Sequence, residues 1–161
     1  MRHSWQADAM AFVPDSRIHR KLIDQLYVEA MLLTDEARGY FDQAGRADRD
    51  GLTPLQRVAF SCESLKVTTR LMHVIAWLLT HRAVAAGEMR PEQALDPSRR
   101  LGEQPPSDAA LLADLPPRSA ALIEASIDLH RRVGLLDEAQ VAERAAASPV
   151  RALQERLALA F

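Results

Sequence analysis

Residues able to do chemistry are sparse in this chain, and their spacing argues against most of the chemistry they would do. The histidines are His3, His19, His73, His81 and His130, and the one thiol is Cys62. A metal ion needs converging ligands, most often His or Cys at close spacing. His73 and His81 stand eight residues apart on one predicted helix, too far along its axis to share an ion, and no acidic pair lies at ligand spacing to either. A cysteine nucleophile needs a base, an orienting group and donors for a developing oxyanion. In mid-helix the backbone N–H groups around Cys62 are already used, and Cys62 falls on an apolar stripe, which predicts a buried structural thiol. The glycines stand at predicted helix ends and in loops, with no phosphate-cradling loop among them. Neither catalytic residues nor a metal or organic cofactor is expected.

One polar constellation stands out. Glu63, Lys66, Arg70 and His73 recur at three- and four-residue steps, and so share one side of a helix. Upstream, Glu29 falls in line with Leu22, Leu26 and Leu33. A buried carboxylate must be paired, and Lys66 or Arg70 is its natural partner. The row is then either an internal salt-bridged seam that fixes helix register or an outward face that recognises a partner.

The elements that position these residues are helices. Ala, Leu, Arg and Glu are abundant and aromatics make only 5% of the chain, a balance that favours helix over strand. The spacing predicts an all-α fold, a three-helix bundle with helices over about 16–44, 54–87 and 117–135. Asp15 or Ser16 caps the first helix and Gly45 stops it. Residues 46–52 read as a polar loop. Thr53, Pro54 and Gln56 form a capping box with proline at the first helical position, and no further Gly or Pro follows until Gly87. This long central helix carries two apolar stripes. One runs Leu55, Val58, Cys62, Leu65, Thr69, Met72, Ala76, Leu79, Ala83 with the alternating three-four spacing of a coiled-coil seam. The other is Val67, Leu71, Val74, Leu78. A single neighbouring helix cannot cover both, so the second stripe is the candidate face for a second subunit. Residues 90–106, rich in proline, form a linker with one turn at Glu92–Leu95, and Ser107 caps a short helix through Leu115. Pro116 and Pro117 open the third main helix, weakened at Gly134. Residues 1–14 are expected as a flexible arm, 15–137 as the bundle domain and 138–161 as a weakly ordered tail.

Bulk properties narrow the partners. The formal net charge is −2, which gives no electrostatic case for nucleic acid or an anionic membrane. The densest apolar stretch, Leu71 to Leu79, is far short of the ~20 residues that span a bilayer. The opening residues lack the apolar run of a signal peptide, and a lone cysteine fits a reducing cytoplasm. A binding module is favoured over an enzyme; a small-molecule or sensory domain with a pocket lined by Met31, Met72 and Trp77 is the alternative.

The run SCESLKVTTRLMHVIAWLLTHRAVAAGEM, residues 61–89, resembles the hallmark stretch of the alphaproteobacterial RcdA family, the regulators of CtrA degradation, also known as DUF1465. LYVEAMLLTDEARGYFDQAGR, residues 26–46, is similar to the family's upstream block. The likeness covers roughly residues 15–90 and no motif matches beyond. It implies a homodimeric helical-bundle adaptor that helps the ClpXP protease find its substrates during the cell cycle, contacting protease and cargo or further adaptors, in the cytoplasm with recruitment to the cell pole. Leu157 to Phe161 also resemble the small apolar C-terminal tags read by Clp-type proteases.

Overall fold

A computed structural model describes residues 16–159; the arm expected over residues 1–14 lies outside them, as do the last two residues of the apolar C-terminal tag. Among the described residues the structure is helical with no strand. The elements in order are α1 (Ser16–Gly39), a π-helical turn (Tyr40–Ala44), α2 (Arg46–Asp50), α3 (Pro54–Ala85), α4 (Pro91–Ala94), a 3₁₀ turn (Pro97–Arg99), α5 (Ala109–Ala113) and α6 (Pro117–Ala158).

Local chemistry explains the boundaries. At the end of α1 the Gly45 N–H reaches the Tyr40 carbonyl at 2.6 Å, and a Cβ on Gly45 would come within 2.8 Å of that oxygen, so glycine alone closes this wide turn. The polar segment after it folds as α2, where the Tyr40 hydroxyl donates to Asp48 Oδ2 at 2.8 Å. Burial and this bond together push the Tyr40 hydroxyl up to about 12. The capping box at Thr53 and Gln56 starts α3. Its end is a Schellman motif: Gly87 takes φ +76, its N–H bonds to Val84 O, and the Glu88 N–H reaches Ala83 O. Asp108 caps α5 through Ala110 N, not Ser107, which is engaged elsewhere.

The bundle core combines Ile23, Leu26 and Ala30 of α1, Phe60, Val74 and Trp77 of α3, and Leu122, Ile123, Leu129 and Val133 of α6. α1 and α3 are antiparallel, as the pairs Asp24–Arg82 and Arg20 with Ala85 O show at one end. α6 runs parallel to α3, with Ser126 beside Arg70 and Asp137 beside Trp77. A parallel pair needs a crossover that returns along its whole length, and residues 86–116 supply it.

Three expectations are corrected here. Val67, Leu71, Val74 and Leu78, the candidate dimer face, are all buried within the single chain. The seam stripe is the one left outside: Leu55, Val58, Leu65, Met72 and Leu79 are exposed, and so is Cys62, expected as a buried thiol. The third main helix does not end near residue 135. α6 continues unbroken to Ala158, because its Ala-rich stretch has high helix propensity and Gly134, where a Cβ would lie only in ordinary contact with Leu101, does not interrupt it. From residue 142 to 150 every residue is exposed, so α6 overhangs the bundle. At Pro149 the ring removes one helical N–H, a loss that water satisfies on an exposed segment.

Candidate functional site: a polar clasp on the crossover

The polar row on α3 holds the crossover. Residues 100–107 lie in the α3–α6 groove and run opposite to α3, so that rising numbers on one meet falling numbers on the other. Trp77 and Arg100 meet at the Asp137 carboxylate, His73 packs on Gly102, Arg70 holds Pro105 and Ser107, and Glu63 accepts from Ser107. The lengths agree. From Glu63 to Trp77 α3 rises about 21 Å, and an extended chain from Arg100 to Ser107 spans about 23 Å.

At the lower end, Ser107 Oγ donates to Glu63 Oε2 at 2.5 Å and accepts from Arg70 Nη2 at 2.6 Å. The same Arg70 nitrogen donates to Pro105 O at 2.8 Å, and Lys66 Nζ closes on Glu63 Oε1 at 2.7 Å. Glu63 and Arg70 are buried, while Lys66 is half-buried. Burial draws the Arg70 guanidinium below its ordinary value, and the neighbouring Glu63 carboxylate opposes that. In mid-row, His130 Nε2 lies 2.7 Å from Gly102 O. A carbonyl only accepts, so His130 donates there. Burial lowers its basicity, and the bond to Gly102 works the other way. His73 fills the space beside Gly102 so closely that a Cβ there would sit 2.6 Å from its ring.

At the upper end, Asp137 takes both Arg100 Nε contacts, at 2.9 and 2.8 Å, and the Trp77 indole N–H at 2.9 Å. Burial works to raise the Asp137 carboxyl, but these donors overcome it and hold it below its usual range. His81 stacks on Trp77, with ring centroids 3.9 Å apart. Burial first, then His19, pushes His81 down to about 4, against the pull of Asp137. His81, His19 and Gln140 border a groove of about 480 Å³ at this end, walled by Val84, Pro91 and Leu95.

The structure thus joins four of the five polar residues singled out in the sequence. Glu29 is not among them: it is exposed and pairs with Arg132 on α6, which also binds Asp128. Lys66 and Arg70 are not its partners, because α6 and not α3 faces it across the bundle surface. Met31, Met72 and Trp77 do not share a pocket either, since Trp77 is buried and the two methionines point outward. Asp137 escapes sequence reasoning, and Ser107 and His130, which read there as a helix cap and an isolated histidine, are not connected by it to the row. Their common signal, polar residues on the inward face of α6 and in a proline-rich segment, has meaning only once the crossover is placed. Among the described residues no three His, Cys, Asp or Glu side chains converge as for a metal, and no helix is long and apolar enough to cross a membrane. The Ser107 hydroxyl and the Glu63 carboxylate are engaged with one another and with Arg70 and Lys66, so these bonds tie the chain to itself.

Comparison with known proteins bears on this architecture. The family model described as "Protein of unknown function (DUF1465)" matches residues 15–161. The crystal structure of RcdA from Caulobacter crescentus CB15 is similar, at 35% identity and a TM-score of 0.61, over 74% of this chain and 90% of that one. No curated protein sequence matches. The chain therefore belongs to the DUF1465 family, and RcdA is its relative across most of the bundle.

Proposed function

We propose that the protein is a non-catalytic adaptor of regulated proteolysis, which helps deliver regulatory proteins to the ClpXP protease during the cell cycle. The observation that carries this reading is the 35% identity to RcdA across 90% of that chain. The adaptor works by tethering. Cargo held beside the protease meets it at a raised effective concentration, and no bond is made or broken by the adaptor. The fold supplies what tethering needs: a braced bundle, an exposed apolar strip on α3, and an overhanging helix with Val150, Leu153 and Leu157 exposed along one side. In this reading the adaptor is a homodimer and acts in the cytoplasm, at the cell pole where the protease is recruited. The clasp residues Glu63, Lys66, Arg70 and His73 contribute by bracing the crossover, and the exposed Glu29–Arg132 pair lies on the surface open to partners.

The test is a reconstituted degradation assay with ClpXP, its priming adaptor and candidate cargo proteins, run with and without this protein. Cargo turnover accelerates when the protein is present. Unchanged turnover across the candidate cargoes, together with no capture of ClpX or priming adaptor, overturns the reading.

A further inference from the structure

Where α1, α3, α4 and α6 meet at one end of the bundle, the groove of about 480 Å³ beside His81 stays open, and neither the core nor the clasp uses it. Val84, Pro91 and Leu95 make its walls apolar. Two of its polar groups have bonding capacity left over. His81 is only 7% exposed and its Nε2 has no hydrogen-bond partner, although buried polar atoms are ordinarily paired. Arg20 spends one N–H on Ala85 O, at 2.9 Å. That bond fixes the guanidinium at the rim, and most of its donors remain. Among the described residues no carboxylate pairs with Arg20. Burial holds His81 down to about 4, so its ring is uncharged at neutral pH. Across the groove α6 presents Glu143 and Arg144, one of each sign, which leaves Arg20 to set the charge of the lining.

We infer that this groove binds a small monocarboxylate with an apolar body, its carboxylate on the Arg20 guanidinium and its body along Val84, Pro91 and Leu95. The size is that of a site for a small organic ligand. A guanidinium meets a carboxylate through two parallel N–H···O bonds, and the bond to Ala85 O holds Arg20 ready for this before any ligand arrives. The body displaces water from walls that offer water nothing to bond to. The uncharged His81 ring adds a hydrogen-bonding group inside the groove without a charge of its own to be matched. The site also has a route to the clasp. His81 stacks on Trp77, with ring centroids 3.9 Å apart, and Trp77 shares the Asp137 carboxylate with Arg100 of the crossover. An occupant that moves the His81 ring is therefore felt at Trp77, which makes that indole a reporter.

The test is a fluorescence titration of the full-length chain carrying Trp5→Phe, which leaves Trp77 as its one tryptophan. The probes are octanoate, octanol and octylamine, which share a body and differ in the head group. Octanoate gives a saturable change in Trp77 emission and raises Tm. Octanol and octylamine bind about tenfold more weakly, the loss expected where a charge-assisted pair is missing. Arg20→Gln, at an exposed position, brings octanoate down to the level of octanol. Ala85→Leu fills the groove with a good helix former and weakens octanoate and octanol alike. Circular dichroism checks that both variants keep their helix content. The absence of a saturable octanoate response, or octanol or octylamine binding as tightly as octanoate, overturns the carboxylate site. Octanoate affinity unchanged by Arg20→Gln overturns Arg20 as the anchor, and affinity unchanged by Ala85→Leu overturns the groove. None of these readouts depends on proteolysis or on self-pairing, so their failure is distinct from failure of the adaptor reading.

Discussion

Gly102 and His73 show how closely the clasp is fitted. The His73 ring occupies the volume a side chain at 102 would need, so Gly102→Ala forces ring or crossover to move. Overpacking of this kind costs about 1–3 kcal/mol. Because the clash is with one ring, His73→Ala removes it, and the double variant recovers most of the loss. Urea unfolding of the four chains in that cycle checks the coupling; additive losses would mean that His73 does not brace Gly102. His81 offers a second residue-scale prediction. In the folded chain it titrates at about 4, against roughly 6.5 when unfolded. Its folded value is depressed, so the unfolded chain binds more protons between those limits. The stability it contributes is full above about pH 6.5 and is lost as pH falls toward 4, by on the order of 3 kcal/mol. Asp137, whose carboxyl lies below its usual range, acts in the other carboxylate window, below about pH 4. His81→Gln keeps a polar side chain without titrating, and its unfolding midpoint is flatter between pH 7 and 4.5. Equal slopes for the two chains would remove His81 as the cause.

At the scale of elements, the overhang of α6 makes the plainest prediction. Residues 142–150 are exposed, and an ion pair reaching back among the described residues, Arg144 to Glu92, joins two half-exposed side chains, where such pairs contribute little. A chain ending at Ala145 therefore unfolds within about 0.5 kcal/mol of the full chain, checked by its urea midpoint, while its delivery of cargo falls if the overhang makes contact with clients. The same helix shows where sequence reading stops. Gly134 reads as a weakened end, but helix propensity through the Ala-rich stretch runs on past it and through Pro149. The start of α3 was legible to the residue, because a capping box is local chemistry written in four positions. Its two apolar stripes were also legible, but their roles were reversed: periodicity says which side chains share a face, not which neighbour covers it. That assignment depends on α6 lying parallel to α3. The polar row was recognised for the same local reason, and its partners were missed because they sit on a crossover whose path only the packed bundle defines.

For the whole molecule, the parallel α3–α6 pair makes the crossover a structural member and leaves the far side of α3 open. The core of one chain is closed without that side, so a single copy has what it needs to fold, and the proposed pairing would add stability on top. Mass action then links melting to concentration. If folded dimers melt to unfolded chains, each tenfold rise in protein favours the folded state by about 0.7 kcal/mol per chain, and for a domain of this size that raises Tm by about 2 °C. A Leu65→Asp chain, cut off from pairing by a charge on that side, melts at one temperature whatever its concentration. Calorimetry of both chains from about 5 to 500 μM measures the difference directly; a wild-type Tm that stays constant across that range would mean that the open side of α3 is not what a second copy covers. A paired adaptor would lose delivery efficiency on becoming monomeric even where each copy still binds cargo, since the second attachment supplies effective concentration and not new contacts.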